Sequence, residues 1–140
     1  MRLVEHVVTA LFAVQALAGI VLLTGWWRHG RPVAPRVACH VGLGTASLAV
    51  WIVFAATGSV LWGWLAFAGI TVGNAIGDSL MVRRSRRMDG GAGGLWSDYG
   101  TAISRALRGR LPPWVTFHAL FAGVVYFTCL GVCIGATVAA

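Results

Sequence analysis

Two histidines stand at matching steps of this chain. Pro35-Arg36-Val37-Ala38-Cys39-His40 and Pro113-Trp114-Val115-Thr116-Phe117-His118 share the spacing P-x-V-x-x-H, 78 residues apart. Neutral imidazole is the commonest metal ligand among side chains. Two imidazoles at one depth of a helical bundle suit one arrangement in particular, a haem b iron held between His40 and His118. Ligation on both faces fills the open axial positions, so such an iron transfers electrons rather than activating oxygen. Arg36 and Arg110 are the candidate partners for the haem propionates. Gly42 and Gly44 after the first histidine, with Ala122 and Gly123 after the second, are small enough to admit a macrocycle. Other chemistries use the same residues. The histidines could instead hydrogen-bond Asp78, Asn74 or a lipid phosphate with no cofactor, line a quinone pocket or proton relay, or hold a non-haem metal together with Asp78.

The elements that must position these residues are membrane-length. The chain has 140 residues, 58% hydrophobic and 11% charged, where soluble proteins average about 25% charged. Mean hydropathy is +0.79. Four apolar blocks, 3–25, 37–58, 59–82 and 114–139, each reach the roughly 20 residues that cross a bilayer as a helix. The expectation is one domain over 1–140: an all-α integral membrane protein, a four-transmembrane-helix bundle. The first block does not look like a signal peptide. Its basic start is only Met1-Arg2, Glu5 and His6 follow at once, and no clean cleavage site ends it.

Charge placement sets the expected orientation. All eleven basic residues are arginines, and ten of them lie in the first and third loops. By the positive-inside rule these loops are cytoplasmic, both termini face outward, and the protein is multi-pass in a plasma (inner) membrane. The same loops suit anionic lipid headgroups. Nucleic-acid binding is disfavoured, because no aromatic-interleaved basic motif accompanies the net charge of +7. With this orientation helices two and four run outward and, in a simple up-down bundle, lie diagonally. His40 and His118 then share a depth near the cytoplasmic face, and helix three brings Asn74 and Asp78 to it.

The third loop, 83–113, opens with an arginine run that fits stop-transfer and lipid contact. The Gly-rich stretch Asp89–Gly94 reads as a flexible hinge, since it lacks the Gly-Lys-Ser/Thr ending and preceding strand of a phosphate loop. After it, Leu95, Tyr99, Ile103 and Leu107 recur at steps of four. That pattern predicts a short amphipathic interfacial helix over about 97–110, capped by Ser97 or Asp98. Asp78 is expected to pair with Arg83 or Arg84, Gln15 and Asn74 to bond between helices, and Glu5, His6 and His29 to be solvated. Cys39, Cys129 and Cys133 make no disulfide framework, and the last two suit small buried apolar positions. Gly69, Gly73 and Gly77 form a small-residue ridge, which suits either internal packing or docking of another subunit. The histidine echo, with Ala16–Ile20 resembling Ala66–Ile70, raises the possibility of a parallel internal repeat.

On its four spans and the motifs His40-Val41-Gly42-Leu43-Gly44 and His118-Ala119-Leu120-Phe121-Ala122-Gly123, the chain resembles the small four-helix membrane b-type cytochromes. These include cytochrome b561-like proteins and the cytochrome subunits of hydrogenases and dehydrogenases. The resemblance implies an electron carrier, or a membrane anchor of a larger respiratory or redox complex, that exchanges electrons with quinol or a partner. Many such cytochromes carry two histidine pairs, whereas this chain has one, and His6 has no histidine opposite it at the outer level. Two other classes remain: a cofactor-free accessory or assembly subunit, and a small transporter with Asn74, Asp78 and the histidines lining a polar site. No nucleophile–histidine–acid set, paired carboxylates or phosphate loop points to a free-standing enzyme.

Overall fold

The computed structural model describes residues 2–89 and 93–140. Among the described residues are five helices: α1 Arg2–Arg28, α2 Ala34–Thr57, α3 Val60–Asp89, α4 Leu95–Leu107 and α5 Pro113–Val138. Four of them, α1, α2, α3 and α5, are long and apolar enough to cross a membrane. The chain is thus an all-α, four-span bundle with one short additional helix.

Glycine and proline set the corners. Gly58 ends α2 with φ +72°, and its N–H donates to Phe54 O at 2.7 Å. This left-handed cap reverses the chain within two residues and makes α2 and α3 a tight hairpin. At the other end, the α1–α2 loop turns through positive φ at Gly30, Arg31 and Val33. Such a conformation costs a β-branched residue on the order of 1–2 kcal/mol, and side chains hold the loop in place. The Trp26 indole donates to Pro32 O at 2.8 Å, and the Arg31 guanidinium lies 4.4 Å from the Trp27 ring centroid.

The spans are arranged as a square in which α1 borders α2, α2 borders α3, α3 borders α5, and α5 returns to α1. The pairs α1/α3 and α2/α5 are therefore diagonal, as expected for an up-down bundle. The glycine ridge of α3 packs inward. A Cβ on Gly69 would overlap the Ser47 hydroxyl, one on Gly73 would lie 3.6 Å from Leu43, and one on Gly77 2.8 Å from His40. Three successive turns of α3 thus accept three side chains of α2, which brings the two backbones close.

One face of each span supplies the interior. Near the Gly58 hairpin, Val8, Phe12, Trp51, Phe54, Ile70 and Cys129 form a continuous buried cluster. Cys129 and Cys133 are buried within it, in keeping with small apolar packing residues. Glu5 departs from its expected solvated position: only 3% of it is exposed, and its backbone carbonyl accepts the Trp51 indole N–H at 3.3 Å. Its place on the inward stripe, three residues before Val8, turns it into the bundle.

The arginine-rich end differs from expectation in two ways. First, α3 does not stop at the arginine run but continues through it to Asp89. Second, α4 begins at Leu95 behind a Gly94 cap that makes no side-chain bond. Asp98, one turn inside the helix, reaches back to accept the Gly93 N–H at 2.9 Å and pairs with Arg86. Neither Ser97 nor Asp98 is the cap. The helix docks on α3 and α5 through Tyr99, Ala102, Ile103 and Ala106, which meet Met81, Val82 and Leu111, whereas Leu95 and Leu107 remain exposed. Residues 90–92 of the glycine-rich hinge lie outside the described residues.

Candidate histidine site

His40 enters the bundle six residues after α2 begins, a rise of about 9 Å. His118 enters five residues into α5. Their rings meet on the diagonal of the bundle, with centroids 6.0 Å apart and planes at 81°. The expectation of a shared depth is met by direct contact.

Each imidazole leans on a glycine of a neighbouring helix. His40 Nδ1 lies 2.9 Å from Gly73 O. A carbonyl only accepts, so Nδ1 carries the proton and Nε2 keeps its lone pair. One turn further along α3, Gly77 makes room for this ring. Across the diagonal, Gln15 Nε2 donates to His118 O at 3.0 Å and lies 3.5 Å from His118 Nε2. One turn further along α1, a Cβ on Gly19 would come within 3.3 Å of the His118 ring. The two half-sites are therefore related as by a twofold axis along the bundle: α2 with α3 on one side, α5 with α1 on the other. In this layer Gly19 corresponds to Gly77. The similarity of Ala16–Ile20 to Ala66–Ile70, which would equate Gly19 with Gly69, is out of register with that correspondence.

Two polar atoms in this layer, Gln15 Oε1 and His118 Nδ1, are buried without a partner among the described residues. Each unmet group costs about 1–3 kcal/mol, so the layer retains hydrogen-bonding capacity that the protein itself does not use. Asp78 follows Gly77 directly on α3. Its hydrogen-bond partner is Tyr99 of α4, whose hydroxyl donates to Oδ2 at 3.1 Å. Neither Arg83 nor Arg84 pairs with it; both are exposed on the continued α3. Burial, followed by the neighbouring Asp78 charge, holds the Tyr99 hydroxyl above its usual pKa range. The Asp98 carboxyl is held below its usual range, chiefly by the Gly93 N–H and also by Arg86. Asn74 is half-buried and makes no side-chain hydrogen bond among the described residues, so of the two amides only Gln15 links helices.

The remaining expected residues do not touch the rings. Arg36 lines a groove between α2 and α3 with Cys39, Val72 and Ser79, and Arg110 lines a separate groove on α4. Gly42, Gly44 and Gly123 have no neighbour where a side chain would project, so they do not flank the rings. Residues beside the rings are Gln15, Gly19, Gly73 and Gly77. The sequence carried a signal for them, a polar or small residue every four positions on α1 and α3, without saying which histidine each would meet. His6 is exposed, as is His29, whose Nδ1 lies 2.6 Å from Gly25 O. Among the described residues no three His, Cys, Asp or Glu side chains converge to hold a metal, so the set of His40, His118 and Asp78 is not assembled.

The donor chemistry of this layer is of the kind that would hold a haem. Two histidines whose ring centroids lie 6.0 Å apart supply the imidazole donors that would hold a haem iron. The Gly73 carbonyl fixes the His40 tautomer in the way that outer-shell partners orient ligating histidines. The flanking helices present glycine at this level, and His118 Nδ1 remains unsatisfied. No protein-family model, curated protein or solved structure matches the chain.

Proposed function

We propose that this protein is a small b-type-cytochrome-like electron carrier, or the membrane anchor of a redox complex, with His40 and His118 as axial haem ligands. The observation that carries this reading is the pair of imidazoles meeting across the diagonal of the bundle, one with its Nδ1–H fixed to a carbonyl. Haem bound there supplies reversible one-electron chemistry. The protein's own contribution is to hold the two rings. Gly73 fixes the tautomer and direction of His40, Gln15 secures the backbone of His118, and Gly19 and Gly77 admit the ring edges. The apolar cluster towards the hairpin separates this layer from the opposite face. A single redox layer near one face supports exchange with quinol or with a partner complex on that side. The arginine bias assigns that face to the cytoplasm of a plasma membrane, with both termini outside.

A second reading, a cofactor-free accessory subunit, draws on the same contact. The rings touch edge to face, and each is braced by the adjacent helix. One measurement separates the two. Protein purified after haem-sufficient growth is expected to be red, with a Soret band that shifts on dithionite reduction. His40→Ala and His118→Ala should each abolish the band while helical content persists. Colourless wild-type protein would overturn the carrier and leave the accessory subunit.

A further inference from the structure

We propose that the outward face of α4 binds the phosphate of an anionic phospholipid headgroup. The inward face of this helix is fully engaged. Ala102 and Ala106 are buried, Tyr99 bonds Asp78, Asp98 pairs with Arg86, and Arg105 donates to Ser85 O at 2.8 Å. On the opposite side Ser97, Thr101, Ser104 and Arg108 fall on one helical stripe. The chain then doubles back. Gly109 turns with φ +63°, and the Arg110 N–H donates to Arg105 O at 2.8 Å, which brings Arg110 beside the stripe. These residues line a groove of about 390 Å³.

The chemistry of the groove is that of a phosphate site. Its charged groups are all guanidinium, which match phosphate oxygens with paired N–H donors. The hydroxyls of Ser97, Thr101 and Ser104 make no hydrogen bond among the described residues, so each can donate to a ligand. Asp98, the one carboxylate of α4, is committed to Arg86 and Gly93.

A second feature identifies the source of the phosphate as lipid. Trp96 and Leu107 share a flank of α4 beside the groove and are 83% and 69% exposed. A helix that presents large apolar side chains on one flank and hydroxyl and arginine groups on the next fits the headgroup layer of a bilayer. Here that helix is tethered to the arginine-rich end of a four-span bundle.

The test uses the full chain in phosphatidylcholine vesicles with and without phosphatidylglycerol. Retained phosphatidylglycerol is read by native mass spectrometry, and the protection of α4 by amide exchange. Wild type should retain phosphatidylglycerol and protect α4 when it is present. R108Q/R110Q should weaken retention on the order of 100-fold, the expected effect of losing two charge-assisted contacts to one phosphate. R83Q/R84Q removes the same charge from exposed positions of α3 and should stay close to wild type. S97A/T101A/S104A, which changes no charge, should weaken retention several-fold. Equal losses for the two arginine pairs would overturn the site in favour of diffuse attraction. Protection of α4 by inorganic phosphate in phosphatidylcholine alone would overturn lipid as its ligand. None of these residues contacts the histidine rings, and R108K/R110K, which keeps both charges, together with the Soret band of each variant read in parallel, separates loss of the lipid site from loss of the haem reading.

Discussion

The two halves of the bundle use the same inward stripes for opposite ends. Towards the Gly58 hairpin the stripes carry Val8, Phe12, Trp51, Phe54 and Cys129. Trp51 is 0% exposed, with ring centroids 5.0 Å from Phe54 and 5.9 Å from Phe12. Towards the arginines the same stripes carry Gln15, Gly19, His40, Gly77 and His118, and buried polar atoms go unpaired. The hairpin half is filled by apolar side chains, with only the Ser47 hydroxyl at its inner edge buried without a partner among the described residues; the other half keeps polar capacity in a region where unsatisfied groups are expensive. The difference teaches that a tightly filled apolar half can carry the cost of an incomplete polar layer, which is the usual pattern at sites kept for binding.

The largest expected effect breaks the apolar half. Trp51→Ala leaves a cavity at the centre of the cluster and should cost about 3–5 kcal/mol in unfolding free energy in detergent, while folded molecules should keep the Soret band that the proposed haem site requires. His118→Leu should do the reverse. It removes the orphaned Nδ1, so stability should hold or rise, yet colour should vanish. If both substitutions affect both readouts equally, the division into halves fails.

Smaller effects sharpen the polar half. Gly77→Ala places a Cβ 2.8 Å from a His40 ring that is tethered to Gly73. It should cost about 1–3 kcal/mol and lower haem occupancy. Gly19→Ala, with a 3.3 Å contact, should do less of both. The reverse order would break the assignment of the closer cradle to His40. Tyr99→Phe deletes the hydrogen bond to Asp78 and should weaken docking of α4 by about 1 kcal/mol, read as faster amide exchange there.

The smallest effect is a pH dependence. The Asp98 carboxyl is held below its usual range in the folded protein, so it binds protons less readily folded than unfolded. Its contribution to docking is then present above the unfolded value of about 3.9 and lost as pH falls through the lower folded value. Amide exchange of α4 should accelerate in that acidic window, and Asp98→Asn should remove the dependence. Tyr99 is shifted upward, so its bond as a neutral donor should survive past the ordinary tyrosine range near pH 10.

Much of the fold was legible from the chain. Four apolar blocks of bilayer length admit one solution for their backbone hydrogen bonds, the helix, and the Gly58-Ser59 junction admits one short reversal. The histidine pair was also legible, because its two prolines fix equal offsets from one membrane face. What surrounds the pair was not. Gly42, Gly44 and Gly123 lie near the histidines in sequence but have no neighbour where a side chain would project; Gly42 and Gly123, two and five steps along their helices, point elsewhere. The residues that do flank the rings come from α1 and α3, which no local spacing relates to His40 or His118. Asp78 was matched to the nearest arginines along the chain, whereas its partner Tyr99 is 21 residues away on a helix that folds back.

The sequence by itself determined a four-span membrane bundle, the end at which its arginines gather, and two histidines at one depth. Those follow from length, hydropathy and helical rise, which act locally along the chain. Only the tertiary structure decided that the glycine ridge faces α2, that Glu5 turns inward, that α4 docks on α3 and α5, and that each imidazole rests on one particular glycine. These depend on the rotation of each helix about its own axis, and that rotation is set by side chains meeting across helices rather than by spacing within one.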